Sequence, residues 1–87
     1  MKLRDTFVSK GNRYSLGVEE DSGLHFAAIT VANRMVDYME SYNISDDEYQ
    51  AFMTDQTQAL EFVESCRRRE QDDRLFLQPG SERGTPA

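Results

Sequence analysis

The polarity of the chain first alternates between neighbouring residues from position 13 to position 19. Tyr14, Leu16 and Val18 fall on one side of this segment, and polar or small residues fall on the other. Because successive side chains of a strand point to opposite faces, this alternation predicts a half-buried β-strand. The polar residues at 20–23 predict a turn after it.

Residues 24–32, LHFAAITVA, are rich in β-branched and aromatic side chains and predict the second strand of a hairpin. Phe26 and Ala28 belong to one alternating set, whereas Ile29 and Val31 belong to the other. Two interpretations therefore stay open. Either both faces of this strand are covered, or a bulge near Ala27 and Ala28 shifts its register.

Residues 34–44, RMVDYMESYNI, fit either a strand or a helix capped by Asn33. The strand is favoured because aromatic and β-branched residues predominate, and Val36, Tyr38, Tyr42 and Ile44 then share one face that only Glu40 interrupts. Residues 1–12 allow a short edge strand or a loose arm, with the turn signal Gly11-Asn12 after them.

Two consecutive helices are predicted between Ile44 and Glu70. Ser45 and Glu48 have the spacing of a capping box, and Asp46 and Asp47 place negative charge where the helix dipole favours it. Tyr49, Phe52 and Met53 then form an apolar stripe. Asp55, with Gln58 three residues later, or else Thr54, predicts a second cap and a short break.

The helical period assigns the side chains of the second helix to two faces. The face expected to be buried is Ala59, Leu60, Phe62, Val63 and Cys66. The face expected to meet water is Glu61, Glu64, Ser65 and Arg68, with a Glu64–Arg68 ion pair.

After the helices, residues 74–78, RLFLQ, predict a short further strand that ends at the Pro79-Gly80 turn. The sequence therefore predicts an α+β fold: a three-stranded antiparallel meander, two helices across one of its faces and a possible fourth strand. Residues 1–78 are expected to form a single domain, and residues 79–87 a flexible tail without apolar anchors.

Composition narrows the classes of protein that are possible. With 87 residues and 38% hydrophobic content, the chain is near the lower limit for one self-sufficient core, so a large buried active site is not expected. A single cysteine excludes an internal disulfide, and no pair of metal-binding cysteines exists. No apolar stretch approaches the roughly 20 residues of a membrane span, and charges interrupt the N-terminal apolar runs. A reduced, cytoplasmic protein is predicted.

The acidic charge is concentrated in one part of the chain. Net charge is −6, but residues 34–66 contain one arginine against eight acidic residues. This segment disfavours nucleic acid as a partner and favours a basic protein, although solvation of the surface would explain the same charge. No membrane partner is predicted, because a membrane-spanning stretch is lacking. The run Arg67-Arg68-Arg69 could hold phosphate, but acidic residues surround it and intramolecular pairing is the commoner outcome.

No catalytic signature emerges from the titratable residues. His25 is the only histidine, and Cys66 is expected to be buried and inert on the apolar face of its helix. The acidic clusters at 19–21 and 46–48 are explained by a turn and a cap, and neither has the ligand spacing of a calcium loop. No metal or cofactor is predicted, and a non-enzymatic role is favoured.

Tyrosines are interspersed with acidic residues over positions 37–49. Tyrosine is a common hot-spot residue of interfaces, and acidic neighbours attract a cationic partner, so this combination favours an interaction surface. The candidate partner-binding residues are Asp37, Tyr38, Glu40, Tyr42, Asp46, Asp47, Glu48, Tyr49, Glu61 and Glu64. If these rings are instead part of the core, the surface is reduced accordingly.

The segment from Tyr38 to CRRRE at 66–70, followed by DD, LFL and PGSERGTP, resembles small bacterial proteins of no characterised family. The small, acidic build is also similar to that of toxin-neutralising immunity proteins, a resemblance that implies a binding role but assigns no residue to it. The leading hypothesis is an immunity protein or inhibitor that occludes a basic partner. The alternative is an accessory subunit that self-associates, for example as a homodimer, through a strand edge or a tyrosine patch.

Overall fold

A computed structural model describes residues 2–32, 37–76 and 85–86, and shows an antiparallel sheet with two helices on one face. The first four strands are consecutive in the chain and in the sheet. They are β1 (Leu3–Ser9), β2 (Tyr14–Glu19), β3 (His25–Ala32) and β4 (Asp37–Ile44). The helices that follow are α1 (Asp46–Thr54) and α2 (Gln56–Arg67), and a 3₁₀ helix covers Asp72–Arg74.

The α+β class is confirmed, but the expected three-strand count is wrong because the N-terminal residues form the edge strand β1. Its register with β2 shifts between Asp5 and Phe7. The irregularity places Phe7 opposite Leu16, on the face that the helices cover, where its ring lies 5.9 Å from that of Tyr14. Of the two possibilities for residues 1–12, the edge strand is therefore correct.

β3 is the central strand, and it pairs with β2 and β4 without any register shift. The two alternating sets of β3 are both buried, since Phe26 and Ala28 expose at most 2% of their surface, as do Ile29 and Val31. Coverage of both faces, rather than a bulge, explains the apolar run. The preference for a strand in β4 is likewise confirmed over 37–44, whereas residues 33–36 lie outside the described part of the chain.

The core lies between the sheet and the helices, and aromatic rings fill much of it. The rings of Phe52 and Phe62 from the two helices meet at 5.3 Å. The buried cluster consists of Tyr14, Leu16, Ala27, Ile29, Val31, Tyr42, Ile44, Phe52, Ala59, Phe62, Val63, Cys66 and Leu75.

Both helix starts match the predicted caps. The Ser45 hydroxyl accepts from the Glu48 N–H at 3.1 Å, and the Glu48 carboxylate accepts from the Ser45 N–H at 2.8 Å. Asp55 accepts from the Thr57 N–H at 2.9 Å and from the Gln58 amide at 3.3 Å. These hydrogen bonds, that from the Gln58 side chain first, lower the pKa of Asp55.

The buried face of α2 is confirmed apart from Leu60, which is only half-buried. The expectation that Ser65 faces water is wrong: Ser65 exposes 8% of its surface, and its hydroxyl donates to the Phe62 carbonyl at 2.5 Å. A Ser hydroxyl can be buried in this way because it donates a hydrogen bond to a carbonyl one turn earlier.

Over the described residues 74–76, the segment after α2 returns to the sheet as an isolated bridge instead of the predicted strand. Leu75 bridges to Tyr42, and the Phe76 N–H donates to the Ser41 carbonyl at 3.0 Å. The remainder of the predicted strand, residues 77–78, lies outside the described residues, as do residues 79–84 and 87 of the expected tail. Within that tail, Thr85–Pro86 forms β5 and pairs with Val31 and Ala32.

Glu19 connects Lys2, just before β1, to the turn between β2 and β3. Its carboxylate accepts from the backbone N–H groups of Lys2, Asp21 and Ser22 at 2.9–3.1 Å. These hydrogen bonds, with that from Lys2 the largest, lower the pKa of Glu19 from 4.5 to about 2.

Gly17 allows β1 and β3 to approach β2 on the face opposite the helices. A Cβ atom at this position would lie 2.6 Å from the Phe26 ring and would also collide with the Arg4 carbonyl. We expect Gly17→Ala to destabilise the fold by about 2 to 3 kcal/mol, because backbone on one side prevents relief of the overlap. Urea denaturation measures this change. Gly11→Ala is the matched control, since a Cβ there meets nothing within 4 Å; equal losses for both variants would contradict the assignment.

Glu19 should also shape the response to acid. Its folded-state pKa is lowered, so the stability that it contributes is present above pH 4.5 and is lost as the pH falls toward about 2. We therefore expect Glu19→Gln to be less stable than the parent at neutral pH, and the difference to shrink across that window. Thermal unfolding at several pH values measures it. Glu20→Gln removes a neighbouring carboxylate without these backbone contacts, and a matching pH profile for that control would overturn the interpretation.

Candidate functional site

The ten residues selected from the sequence do not form one surface, because some belong to the core and the others lie in separate parts of the molecule. Tyr42 is fully buried and Glu40 exposes 6% of its surface. These two residues face the helices, so they belong to the core and not to a docking surface. Tyr38 is half-buried on the same side of the strand.

Glu40 is the centre of a buried polar network. Its carboxylate accepts from the Arg69 guanidinium at 2.8 Å and from the Tyr42 hydroxyl at 3.2 Å, while the Tyr38 hydroxyl lies at 3.5 Å. A buried carboxylate requires such partners, because desolvation would otherwise disfavour its charge strongly. The alternation of β4 positions the acid, and the end of α2 positions the arginine.

Arg69 reaches Glu40 from an unusual backbone conformation. Its N–H donates to Cys66 and the Glu70 N–H donates to Ser65, both at 3.0 Å, which is the hydrogen-bond pattern of a Schellman motif. Arg69 has a φ of 64°, in the left-handed region that glycine usually occupies here. An arginine is accommodated because its side chain ties the helix end to the sheet.

The first turn of α1 forms a second cluster, which is largely exposed. The Asp46 carboxylate accepts a hydrogen bond from the His25 Nδ1 at 2.7 Å, and the His25 ring stacks on Tyr49 at 4.1 Å. The Tyr49 hydroxyl lies 2.5 Å from the Thr6 hydroxyl. His25 and the half-buried Tyr49 thus join α1 to the sheet, while Asp46 and Asp47 remain exposed.

Glu48 has a second role beyond the cap. Arg74 donates to its carboxylate at 2.9 Å and to the Asn43 carbonyl at 3.3 Å, and its guanidinium lies 5.2 Å from the centre of the Phe62 ring. Burial raises the pKa of Glu48, but the hydrogen bonds from Arg74 and from Ser45 outweigh burial and leave the pKa below its ordinary value.

Asp37 is remote from this cluster. It begins β4 opposite Ala32, whereas Ile44 ends the strand opposite His25. Seven residue steps at about 3.4 Å each separate the two strand ends by about 24 Å. Asp37 is exposed but lies at the other end of the sheet from Asp46 and Asp47.

Glu61 and Glu64 lie on the exposed side of α2, as expected. Together with Thr57, Leu60 and Arg68 they line a shallow depression of about 470 Å³. The half-buried Leu60 supplies its apolar part. The arrangement offers an apolar contact bordered by two carboxylates.

Each arginine of the 67–69 run contacts a carboxylate of the same chain. Arg67 pairs with Glu64 and also donates to the Asn12 carbonyl at 2.6 Å. Arg68 pairs with Glu70 at 2.8 Å instead of with Glu64, so the expected i, i+4 pair is replaced by an i, i+3 pair from Arg67. The acidic residues near this run therefore partly neutralise it.

The two residues weighed for catalysis both have structural surroundings. Cys66 is fully buried, as predicted, and burial raises the pKa of its thiol to about 12. A thiol with this pKa stays protonated at neutral pH and is a poor nucleophile. Over residues 2–32, 37–76 and 85–86, no group of three His, Cys, Asp or Glu side chains is arranged to hold a metal ion.

No helix in the described part of the chain is long and apolar enough to cross a membrane. Comparisons with protein-family models, curated proteins and solved structures found no match to this chain. The geometry above is therefore the basis for any assignment of function.

Sequence reasoning missed Arg69 and Arg74 as partners of Glu40 and Glu48. The partners are 29 and 26 residues apart, respectively, and no local spacing rule links them. The one signal in the sequence was the single acid that interrupts the apolar face of β4, since an acid at a buried position requires a cationic partner.

We expect Glu40→Ala to lower the free energy of unfolding by about 3 to 5 kcal/mol, because it removes the buried carboxylate that accepts from Arg69 and Tyr42. Urea denaturation followed by circular dichroism measures the loss. The matched control is Glu70→Ala, which breaks the exposed pair with Arg68 and should change stability little. Similar losses for the two variants would contradict a structural role for the buried pair.

Proposed function

We propose that this chain is a non-enzymatic protein-binding module that covers a basic surface of its partner, as an immunity protein or inhibitor does. The observation that supports the proposal best is the charge of the helix pair. Residues 46–64 contain six acidic residues and no basic residue. Five of the six are exposed, and these are Asp46, Asp47, Asp55, Glu61 and Glu64.

Two of these carboxylates are particularly suited to meet an external cation. Asp47 and Glu61 are exposed, and neither forms an ion pair with any other described residue. A partner can therefore use them without first breaking an internal ion pair. Exposed charges of one sign also accelerate the encounter with an oppositely charged protein.

The helix pair also provides apolar contacts, which exposed charges alone would lack. Met53 exposes 41% of its surface, and Leu60 contributes to the depression beside Glu61 and Glu64. Interfaces generally combine an apolar centre with a polar rim, and methionine is enriched in them. The outer side of α1 and α2 has both components.

A non-enzymatic role is supported by the surroundings of His25 and Cys66. His25 is engaged by Asp46 and by the Tyr49 ring, and Cys66 lies in the core. Both side chains thus have a structural explanation. The mechanism we propose is steric: the helix pair occupies the basic surface that the partner needs for its own function.

Self-association through β1 is the second candidate. One edge of β1 has no partner strand among the described residues, and Leu3 and Val8 expose 41% and 53% of their surface. The register shift in β1 and its charged residues disfavour pairing with another edge, however. The tyrosine-patch version is weakened because Tyr42 is buried, and Tyr38 and Tyr49 are half-buried. Sedimentation showing one monomeric species at all concentrations would exclude self-association.

We expect the double variant Asp47→Asn with Glu61→Gln to slow association with the basic partner about threefold at low ionic strength, because it removes two unpaired carboxylates from the helix pair. The partner is first captured from the native host and purified. Association rates are then measured over a series of salt concentrations by surface plasmon resonance. The slope against salt should also become shallower.

Asp5→Asn with Glu20→Gln is the charge-matched control, because both residues are exposed and lie outside the helix pair. It changes the net charge by the same amount and should slow association much less. Equal effects of the two double variants, or an association rate that does not depend on salt, would contradict the proposed surface.

A further inference from the structure

A cleft of about 740 Å³ lies between four segments. These are the residue before β3, the end of β4, the first turn of α1, and the 3₁₀ helix with the residues after it. This volume is within the roughly 300–1,000 Å³ typical of ligand pockets. The cleft is open to solvent. Asp46 lines this cleft and is also one of the exposed acidic residues of the helix pair.

Apolar side chains form one wall of the cleft. Leu24 exposes 44% of its surface, Phe76 is half-buried, and Ile44 and Leu75 lie beneath them. Covering exposed apolar surface is favourable because it releases that surface from water. An occupant should therefore present an aliphatic stem to Leu24 and Phe76.

Carboxylates form another part of the lining. Asp46 and Asp73 are exposed, and Asp73 has no ion pair with another residue in the described ranges. Glu48 and Arg74 also line the cleft, but they pair with each other. The three acids and one arginine give the lining a net charge of −2.

This combination is complementary to one kind of side chain. An anion would be repelled by Asp46 and Asp73. A wholly apolar occupant would remove water from these carboxylates without offering hydrogen bonds in its place. A lysine or arginine has an aliphatic stem for the apolar wall and a cation for the carboxylates. We propose that the cleft receives a lysine or arginine side chain of the basic partner. The proposal rests on the proposed function and adds an anchoring site to it.

The test uses defined probes with the full 87-residue chain. The capped amino acids N-acetyl-arginine methylamide and N-acetyl-lysine methylamide are titrated at low salt, and backbone amide shifts are followed by ¹⁵N NMR. We expect saturable shifts at Leu24, Asp73 and Phe76. The capped citrulline derivative is the uncharged match for arginine. It should bind about threefold more weakly than the arginine derivative, as is expected when an exposed ion pair is lost.

Asp73→Asn should weaken the binding of the cationic probes about threefold, whereas Glu61→Gln, on the outer side of α2, should leave it unchanged. The amide spectrum of each variant verifies its fold. Equal binding of citrulline and arginine, shifts spread evenly over all exposed acids, or no effect of Asp73→Asn would overturn the cleft assignment. A response to only one of the two cations would identify which side chain the cleft accepts and would support the proposal.

The purified partner separates failure of this proposal from failure of the proposed function. If Asp47→Asn with Glu61→Gln slows association but Asp73→Asn does not alter the partner's affinity, the helix surface stands and the cleft proposal is wrong. If neither variant has an effect, the proposed acidic surface fails as well. Weaker partner binding by Asp73→Asn, together with reduced probe binding, supports the cleft as an anchor.

Discussion

The fold depends on an ion pair between a buried carboxylate of the sheet and an arginine just after α2. Glu40 lies in the face of the sheet that must be apolar, so Arg69 has to come within hydrogen-bonding distance of it. Arg69 makes this contact from the left-handed position that ends α2. It also directs the following segment along β4, where Leu75 bridges to Tyr42 and the wall of the cleft is built.

The same constraint divides the acidic residues into two groups with different roles. Glu40 and, in part, Glu48 are used internally, where arginines from distant segments balance their charge. Asp47 and Glu61 remain exposed on the helices without such partners among the described residues. The helix pair therefore presents exposed acidic residues and no basic residue over positions 46–64. A basic partner would meet that surface first, because charge acts over longer distances than packing does.

Much of the local structure could be predicted, since its signals span only a few residues. The Ser45–Glu48 capping box and the Asp55 cap use contacts within three residues. Alternation identified β2, and the β-branched and aromatic residues identified β3. β1 was harder because its register shift and its charged residues weaken the alternating pattern. Ser65 was misassigned because a local hydrogen bond makes its burial possible, which polarity alone does not reveal.

The sequence by itself determined the α+β class, the helix starts, the apolar faces and the location of the acidic segment. Only the tertiary structure decided that Tyr42 and Glu40 are buried, that Asp37 is far from Asp46, and that Asp73 borders the same cleft as Leu24. The physical reason is the range of the interactions. Caps and periodic faces follow from neighbours within one helical turn or a few strand residues, whereas a site assembled from segments far apart in the chain exists only after the core has packed.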